Sequence, residues 1–271
     1  MYSLRSKFWP AYTWKIQTTY LNEYKDSLTK ESKISQEEFK HRLSDIFEKI
    51  NASFYHLEKL KEDQQVAVDM GKKLAKIIMP GTENLPGIAG APYEPIGYEY
   101  ESFLITVKTM LDLVATLITK CVGRGEDNII SLISNIDLEK LREESLERKI
   151  MTFVKSDYFK EFLEDYRNPK DDKNKSTKRN FAAHHGSLPL GTTNVPINNP
   201  RASVILVKPI DHNATDPDHF PKNAPDLVDY CDDHFYQACD LFIGVISILL
   251  NNEFKAGRKS SVYEESLKRK S

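Results

Sequence analysis

Apolar side chains recur every three or four residues along most of this chain, a spacing that places them on one face of an α-helix. The first clear helix is predicted to begin at Ser35, because Ser35 and Glu38 form a capping box. Its apolar stripe continues to Leu60. Residues 12–28 and 64–79 are each predicted to form a further helix, the second ended by a proline.

The second half of the chain repeats this helical pattern. A strong amphipathic helix is predicted over residues 98–121, followed by a short apolar helix capped by Asp127. Residues 138–166 are predicted to be helical with a bend. The last and most apolar helix is predicted to begin at Asp226 and to reach Leu249, as either the central element or the dimer-facing one.

Prolines and glycines concentrate between residues 80 and 97, which makes this stretch the best candidate for a domain boundary. A second change of composition, over residues 187–225, predicts an insertion of loop with one strand near Ala202–Val207. The predicted organisation is an all-α protein in three parts: an accessory helical region at 1–90, the main helical domain at 91–254 and a flexible charged tail at 255–271.

Composition narrows the classes of function. The formal net charge is −2, so no global positive field attracts nucleic acid, and any RNA contact has to be local. Three cysteines without a CxxC pair are typical of a reducing compartment. The N-terminus lacks a secretory apolar core, and the apolar run near residues 241–250 is too short to span a bilayer. We therefore expect a soluble cytoplasmic protein that binds neither membrane nor DNA.

The residues best suited to catalysis lie in one segment, Arg179-Asn180-Phe181-Ala182-Ala183-His184-His185. Arginine offers a permanent charge and a planar set of donors suited to phosphate, and histidine titrates near neutrality. On a helix, Asn180 and His184 share a face, so the amide is placed to orient the imidazole. A lysine-rich loop precedes the segment and is the best local RNA-binding patch; its predicted contacts are Lys173, Lys175 and Lys178.

This segment resembles the signature of the HEPN family, an arginine followed after four to six residues by a histidine, with Asn favoured next to the arginine. The resemblance implies an antiparallel helical bundle that acts as a metal-independent endoribonuclease in toxin–antitoxin, phage-defence or RNA-processing systems. It also implies a homodimer in which two copies of the motif form one composite site. The chain departs from many members at Gly186, where they carry a tyrosine.

The same resemblance implies the roles of the site residues. Arg179 would hold the scissile phosphate, His184 would transfer a proton during attack by the 2′-hydroxyl, and Asn180 would keep the site in register. His185 and Glu101 are possible auxiliary residues. The expected partners are RNA and a second copy of the chain, with an antitoxin or other protein as a candidate third partner; no cofactor is expected.

Several alternatives stay open. The chain is either a ribonuclease, a catalytically inactive HEPN-like module that binds RNA, a nucleotide or a protein, or a purely structural helical dimer. Glu101, Lys108 and Asp112 share a helix face and are expected to form a solvated charged surface with an ion pair. Four residues could also form a zinc site: His212, His219, Cys231 and His234. This is the weaker interpretation, because a core cysteine and hydrogen-bonded histidines explain the same residues.

Overall fold

The computed structural model describes residues 31–78, 89–90, 94–166, 190–194, 203–206 and 226–250 of the 271-residue chain. Helices dominate this part, in agreement with the all-α prediction. The described helices are α1 (Gln36–Ile78), α2 (Glu94–Val122), α3 (Ile129–Asn135), α4 (Leu146–Val154), α5 (Asp157–Glu164) and α6 (Leu227–Leu249), with a 3-10 turn at Leu138–Lys140. Three short antiparallel strands form a sheet in the order β1 (Ala89–Gly90), β2 (Leu190–Asn194), β3 (Ser203–Leu206).

Helix α1 begins where the sequence predicts. The Ser35 hydroxyl accepts a hydrogen bond from the backbone nitrogen of Glu38 at 3.2 Å, and the Ser35 carbonyl accepts from the nitrogen of Phe39 at 2.9 Å. The separate helix predicted over residues 64–79 is wrong, because α1 continues through that region without a break. No glycine or proline stands between the two apolar stripes, so nothing in the backbone ends the first helix.

Local signals also set the breaks after α2. Gly123 adopts the left-handed conformation with a φ of 78°, and its nitrogen donates to the Thr119 carbonyl at 2.7 Å, which ends the helix. The next cap is Asn128 rather than the predicted Asp127: the Asn128 side chain accepts from the nitrogen of Ile130 at 2.9 Å. The helix predicted over residues 138–166 is divided into the 3-10 turn, α4 and α5.

The chain forms two compact units, each made of separate segments. Unit 1 comprises residues 1–45, 113–156 and 240–271, and unit 2 comprises residues 46–112 and 157–239. Helices α1, α2 and α6 each contribute residues to both units. Each unit contains residues from before and after residue 90. The domain boundary predicted near residue 90 stays a prediction.

In unit 1, the end of α2 is tied to the segment before α1. The backbone nitrogen of Lys33 donates to the carbonyl of Cys121 at 2.8 Å, and the Glu31 carboxylate accepts from the nitrogen of Leu146 at 3.1 Å. Cys121 is fully buried, and this burial raises the pKa of its thiol from 9.0 to about 11 against the opposing effect of a hydrogen bond with Ser32. The thiol is therefore protonated at neutral pH.

In unit 2, α1 and α6 run antiparallel. The rings of Phe54 and Phe235 lie 5.9 Å apart, and the Lys61 ammonium is 3.0 Å from the Asp232 carboxylate. Farther along α1, the Gln64 amide donates to the Asp226 carboxylate at 3.0 Å. Rising residue numbers in α1 thus meet falling numbers in α6, which defines the direction of the pair.

The apolar side chains of α6 are buried within the chain. Leu227, Phe235, Leu241, Val245 and Leu249 have no exposed surface. The sequence offered two positions for this helix, the centre or a dimer interface, and the burial corresponds to the central one. These side chains therefore leave no spare apolar surface on α6 for a second copy of the chain, and the dimer-facing position is wrong.

One described helix is long and apolar enough to cross a membrane, judged by length and composition alone. It is Pro95–Val122 within α2, and 61% of its most apolar window is buried inside the protein. The buried core helix of a soluble protein passes the same test, so this is weak evidence for a membrane span. This helix differs from the apolar run near residues 241–250, which is too short to span a bilayer.

We predict that Gly244→Ala in α6 destabilises unit 1, although alanine is the better helix former. A β-carbon on residue 244 would overlap the ring of Phe153. The overlap should cost about 1–3 kcal/mol, which exceeds the gain of roughly 1 kcal/mol from helix propensity. Urea denaturation measures the net change.

Two further variants test this explanation. Gly125→Ala, where an added β-carbon meets nothing within 4 Å, should change stability by no more than about 0.5 kcal/mol. In a Phe153→Leu background, Gly244→Ala should be better tolerated than in the natural chain. Equal losses in both backgrounds would contradict the proposed overlap.

We also predict opposite effects for two substitutions of Asp226, the residue that caps α6. Its carboxylate accepts from the nitrogens of Val228 at 2.9 Å and Asp229 at 3.1 Å. Asp226→Ala removes this cap and should cost about 1 kcal/mol. Asp226→Asn keeps a capping oxygen and removes the charge that burial disfavours, so it should stabilise the protein near neutral pH, as measured by thermal and urea unfolding.

The pH dependence separates the two effects. Burial raises the pKa of Asp226 above its ordinary 3.8, while hydrogen bonds from Asp229 and Gln64 oppose the rise. The resulting stabilisation is complete below pH 3.8 and is lost as the pH rises through the folded pKa, where the buried carboxyl ionises. Asp226→Asn should therefore gain stability relative to the natural chain between pH 4 and 7. A constant difference across that range would contradict this prediction.

Candidate functional site

Most of the predicted site lies outside the described residues. This applies to the motif residues Arg179, Asn180, His184 and His185 and to the lysines Lys173, Lys175 and Lys178, as well as to His212 and His219. Glu101 is described: it lies on α2 next to the fully buried Tyr100 and is itself partly buried. Its proposed auxiliary role stays a prediction.

The charged face predicted on α2 differs from the expectation of a solvated surface. Lys108 is only 4% exposed, and its ammonium contacts both carboxylate oxygens of Asp112, at 2.5 and 2.6 Å. A buried ammonium is costly unless a carboxylate accompanies it. Lys108 is therefore buried in unit 2, paired with an Asp112 side chain that is 29% exposed. The sequence spacing identified the pair correctly and its surroundings incorrectly.

Unit 2 contains a buried polar cluster formed by the end of α5 and the first half of α6. The imidazole of His234 lies between the Tyr166 hydroxyl, 3.2 Å from its Nδ1, and the Asp165 carboxylate, 3.3 Å from its Nε2. The Tyr230 hydroxyl donates to the same carboxylate at 2.6 Å. We call Asp165, Tyr166, Tyr230 and His234 the Asp165 cluster.

Aromatic contacts enclose the Asp165 cluster. The centres of the Tyr230 and His234 rings lie 3.9 Å apart. The centre of the Phe162 ring lies 5.2 Å from that of the same imidazole. Tyr100 approaches Tyr230 edge to face with ring centres 6.4 Å apart. The carboxylate of Asp165 is the accessible end of the cluster, with about a third (35%) of its side chain exposed, compared with 7% for His234.

Burial controls the electrostatics of this cluster. It raises the pKa of Tyr100, Tyr166 and Tyr230 well above the ordinary 10.0, and the negative charge of Asp165 adds to the effect. These phenols are therefore neutral at physiological pH, and the Tyr230 hydroxyl donates its proton to the Asp165 carboxylate. A neutral hydroxyl directed at Asp165 stabilises the carboxylate without adding a second charge.

The geometry favours a structural role for His234. Both ring nitrogens already have partners within the chain, so a substrate would have to displace one of them. This agrees with the prediction of a satisfied core histidine. Cys231, its predicted neighbour, is also fully buried. Within the described ranges, no group of three or more His, Cys, Asp or Glu side chains is arranged to hold a metal ion.

A second histidine in unit 2 is better placed for proton transfer. The Nδ1 atom of His56 on α1 is 2.7 Å from the Glu99 carboxylate on α2, and each side chain is 25% exposed. Its Nε2 makes no hydrogen bond among the described residues, so the Glu99 carboxylate orients the ring through Nδ1 alone. A second acid, Asp63, interacts with Glu99. Partial burial and, after it, the negative charge of Glu99 raise the pKa of Asp63.

Sequence reasoning missed both groups for the same reason. Asp165 and Tyr230 are 65 residues apart, and His56 and Glu99 are 43 residues apart. None belongs to a short motif, and each alone is an ordinary polar residue on a helix. The only available signal was the spacing of Tyr230 and His234 on an otherwise apolar stripe, which indicates buried polar groups that require partners.

No protein-family model, curated protein or solved structure matches this chain. The resemblance to the HEPN family accordingly rests on the residues from Arg179 to His185. Because those residues lie outside the described part of the chain, membership of that family stays a prediction.

We predict that the Asp165 cluster contributes measurably to the stability of unit 2. Tyr230→Phe removes the hydroxyl that donates to Asp165 and should lower the free energy of unfolding by about 1.5–3 kcal/mol, the range for hydrogen bonds to charged groups. The matched control is Tyr98→Phe, since Tyr98 is 62% exposed and should lose no more than about 0.5 kcal/mol. Equal effects at the two tyrosines would show that the cluster contributes no special stability.

Proposed function

We propose that this protein is a metal-independent endoribonuclease of the HEPN type, belonging to a toxin, phage-defence or RNA-processing system. The observation that carries the proposal is the Arg179-Asn180-x3-His184 motif, with His185 adjacent. It combines a phosphate-binding cation with an imidazole able to move a proton, the two groups that RNA cleavage by the neighbouring 2′-hydroxyl requires. The predominantly helical fold is compatible with an antiparallel bundle of this type.

In the proposed mechanism, Arg179 binds the scissile phosphate and offsets the charge that develops on its oxygens. His184 removes the proton from the 2′-hydroxyl or delivers one to the leaving 5′-oxygen, and Asn180 orients the imidazole. The 2′-oxygen forms a bond to phosphorus as the bond to the 5′-oxygen breaks, which leaves a 2′,3′-cyclic phosphate and a 5′-hydroxyl. Lys173, Lys175 and Lys178 supply contacts to the RNA backbone.

The alternative is a catalytically inactive helical module that binds RNA, a nucleotide or a protein. The observation that favours it is the formal net charge of −2 with a pI near 6.4, which gives RNA no general attraction. The two functions differ in a simple way, because only the enzyme changes the length of the RNA. In either case we propose that the chain acts as a homodimer in the cytoplasm.

We predict that the purified protein cleaves single-stranded RNA in the presence of EDTA. Arg179→Ala and His184→Ala should each abolish cleavage while changing stability by no more than about 0.5 kcal/mol, because the proposed site has to admit RNA and would contribute little to the core. RNA with 2′-O-methyl groups should resist cleavage, because the attacking hydroxyl is blocked. Gel electrophoresis of labelled RNA measures the products.

Two controls make this test specific. His185→Ala should retain more activity than His184→Ala, since residue 185 leaves the face shared with Asn180. Lys173→Ala with Lys175→Ala should weaken RNA binding, and the loss should shrink at high salt. Cleavage only after addition of a divalent metal would refute the mechanism, and RNA binding without cleavage would support the inactive module.

A further inference from the structure

The second half of α1 carries an exposed apolar stripe. Tyr55 is 56% exposed, Val66 44%, Met70 54% and Ile77 75%. Their spacings of eleven, four and seven residues place all four within a narrow angular range on one side of the helix. Isolated apolar side chains are common at protein surfaces, but four aligned over about 33 Å of helix, at 1.5 Å per residue, form a continuous surface.

Charged residues complete the same stripe. Lys59 and Glu62, joined by a 2.6 Å ion pair, stand between Tyr55 and Val66, and the exposed Lys73 stands between Met70 and Ile77. The seven positions follow one another at intervals of three or four residues, as in helices that pack along a seam. We call this set, from Tyr55 to Ile77, the α1 seam.

We propose that the α1 seam binds the α1 seam of a second copy of this chain, with the two helices antiparallel. In this arrangement a two-fold axis passes near residue 68. Val66 of each copy then packs against Met70 of the other, and Glu62 of each copy lies opposite Lys73 of the other. The interface is isologous, as closed dimers require.

Charge distribution selects this occupant and this direction. Glu62 precedes the axis, next to its partner Lys59 in the same chain, and Lys73 follows the axis, so antiparallel pairing adds two attractive Glu62–Lys73 contacts. A parallel pair in register would instead oppose Glu62 to Glu62 and Lys73 to Lys73, which is repulsive. Of these two arrangements, the antiparallel one is the arrangement that brings Glu62 of each copy opposite Lys73 of the other.

The size of the seam indicates a weak dimer. A single pair of helices over this length buries less than the roughly 800 Å² per partner of a standard interface, so the expected dissociation constant is on the order of micromolar. The proposal does not rest on RNA cleavage. The dimer interface proposed here is the exposed α1 seam and not α6, whose apolar side chains are buried.

Charge reversal in the full chain tests the proposal by sedimentation velocity at low salt. Glu62→Lys and Lys73→Glu should each raise the dissociation constant about tenfold, because each creates two repulsive contacts, and the double variant should restore it to within about threefold of the natural value. Glu161→Lys, the same change at an exposed position on α5, should leave it unchanged. Circular dichroism checks that every variant keeps its helical content.

Cross-linking tests the direction of the pair. Val66→Cys and Met70→Cys chains, when mixed, should form a disulfide with each other in preference to a disulfide between identical chains. The three natural cysteines are buried and do not compete. A monomer at 100-fold the expected dissociation constant, a dimer that Glu62→Lys leaves intact, or failure of the double variant to restore association would each overturn the proposal. Binding of the seam to a different protein with no self-association would also overturn it.

Discussion

The need to pair the buried and partly buried polar groups at the start of α6 governs unit 2. Helix α6 is apolar over most of its surface, yet its first half carries Asp226, Tyr230, Asp232 and His234. Each has a partner on another element: the amide of Gln64 and the ammonium of Lys61 on α1, and the carboxylate of Asp165 and hydroxyl of Tyr166 at the end of α5. The arrangement of α1, α5 and α6 follows from these pairings.

These polar pairings fix the register of α6 against α1, which apolar contacts alone do not. Hydrophobic burial is non-directional, so two amphipathic helices have several registers of similar energy. Sliding α6 along α1 by one helical turn, about 5.4 Å, would separate Lys61 from Asp232 and Gln64 from Asp226 while leaving much apolar area covered. Burying unpaired charges is costly, and the native register avoids that cost. The polar contacts therefore select one register among several that the apolar residues permit.

Features encoded by neighbouring residues were predictable from sequence. The caps at Ser35 and Asp226 and the break at Gly123 depend on side chains within four residues of the backbone groups they serve. Features that join distant segments were not: Lys108 was expected in solvent, and the Asp165 cluster was not anticipated, because its partners are more than sixty residues apart. The single continuous α1 was missed because two apolar stripes resembled two helices. Of the candidate site, only Glu101 lies among the described residues, so the motif from Arg179 to His185 stays a prediction from sequence.

The environment of Cys121 makes this residue a natural reporter on unit 1. Its thiol is fully buried with a pKa near 11, so little thiolate exists at neutral pH and alkylating reagents have no access in the closed state. The same residue accepts, through its carbonyl, the hydrogen bond that holds Lys33 against the end of α2. Labelling of Cys121 therefore requires an opening of the structure around it, and where closing is faster than labelling, the labelling rate gives the free energy of that opening.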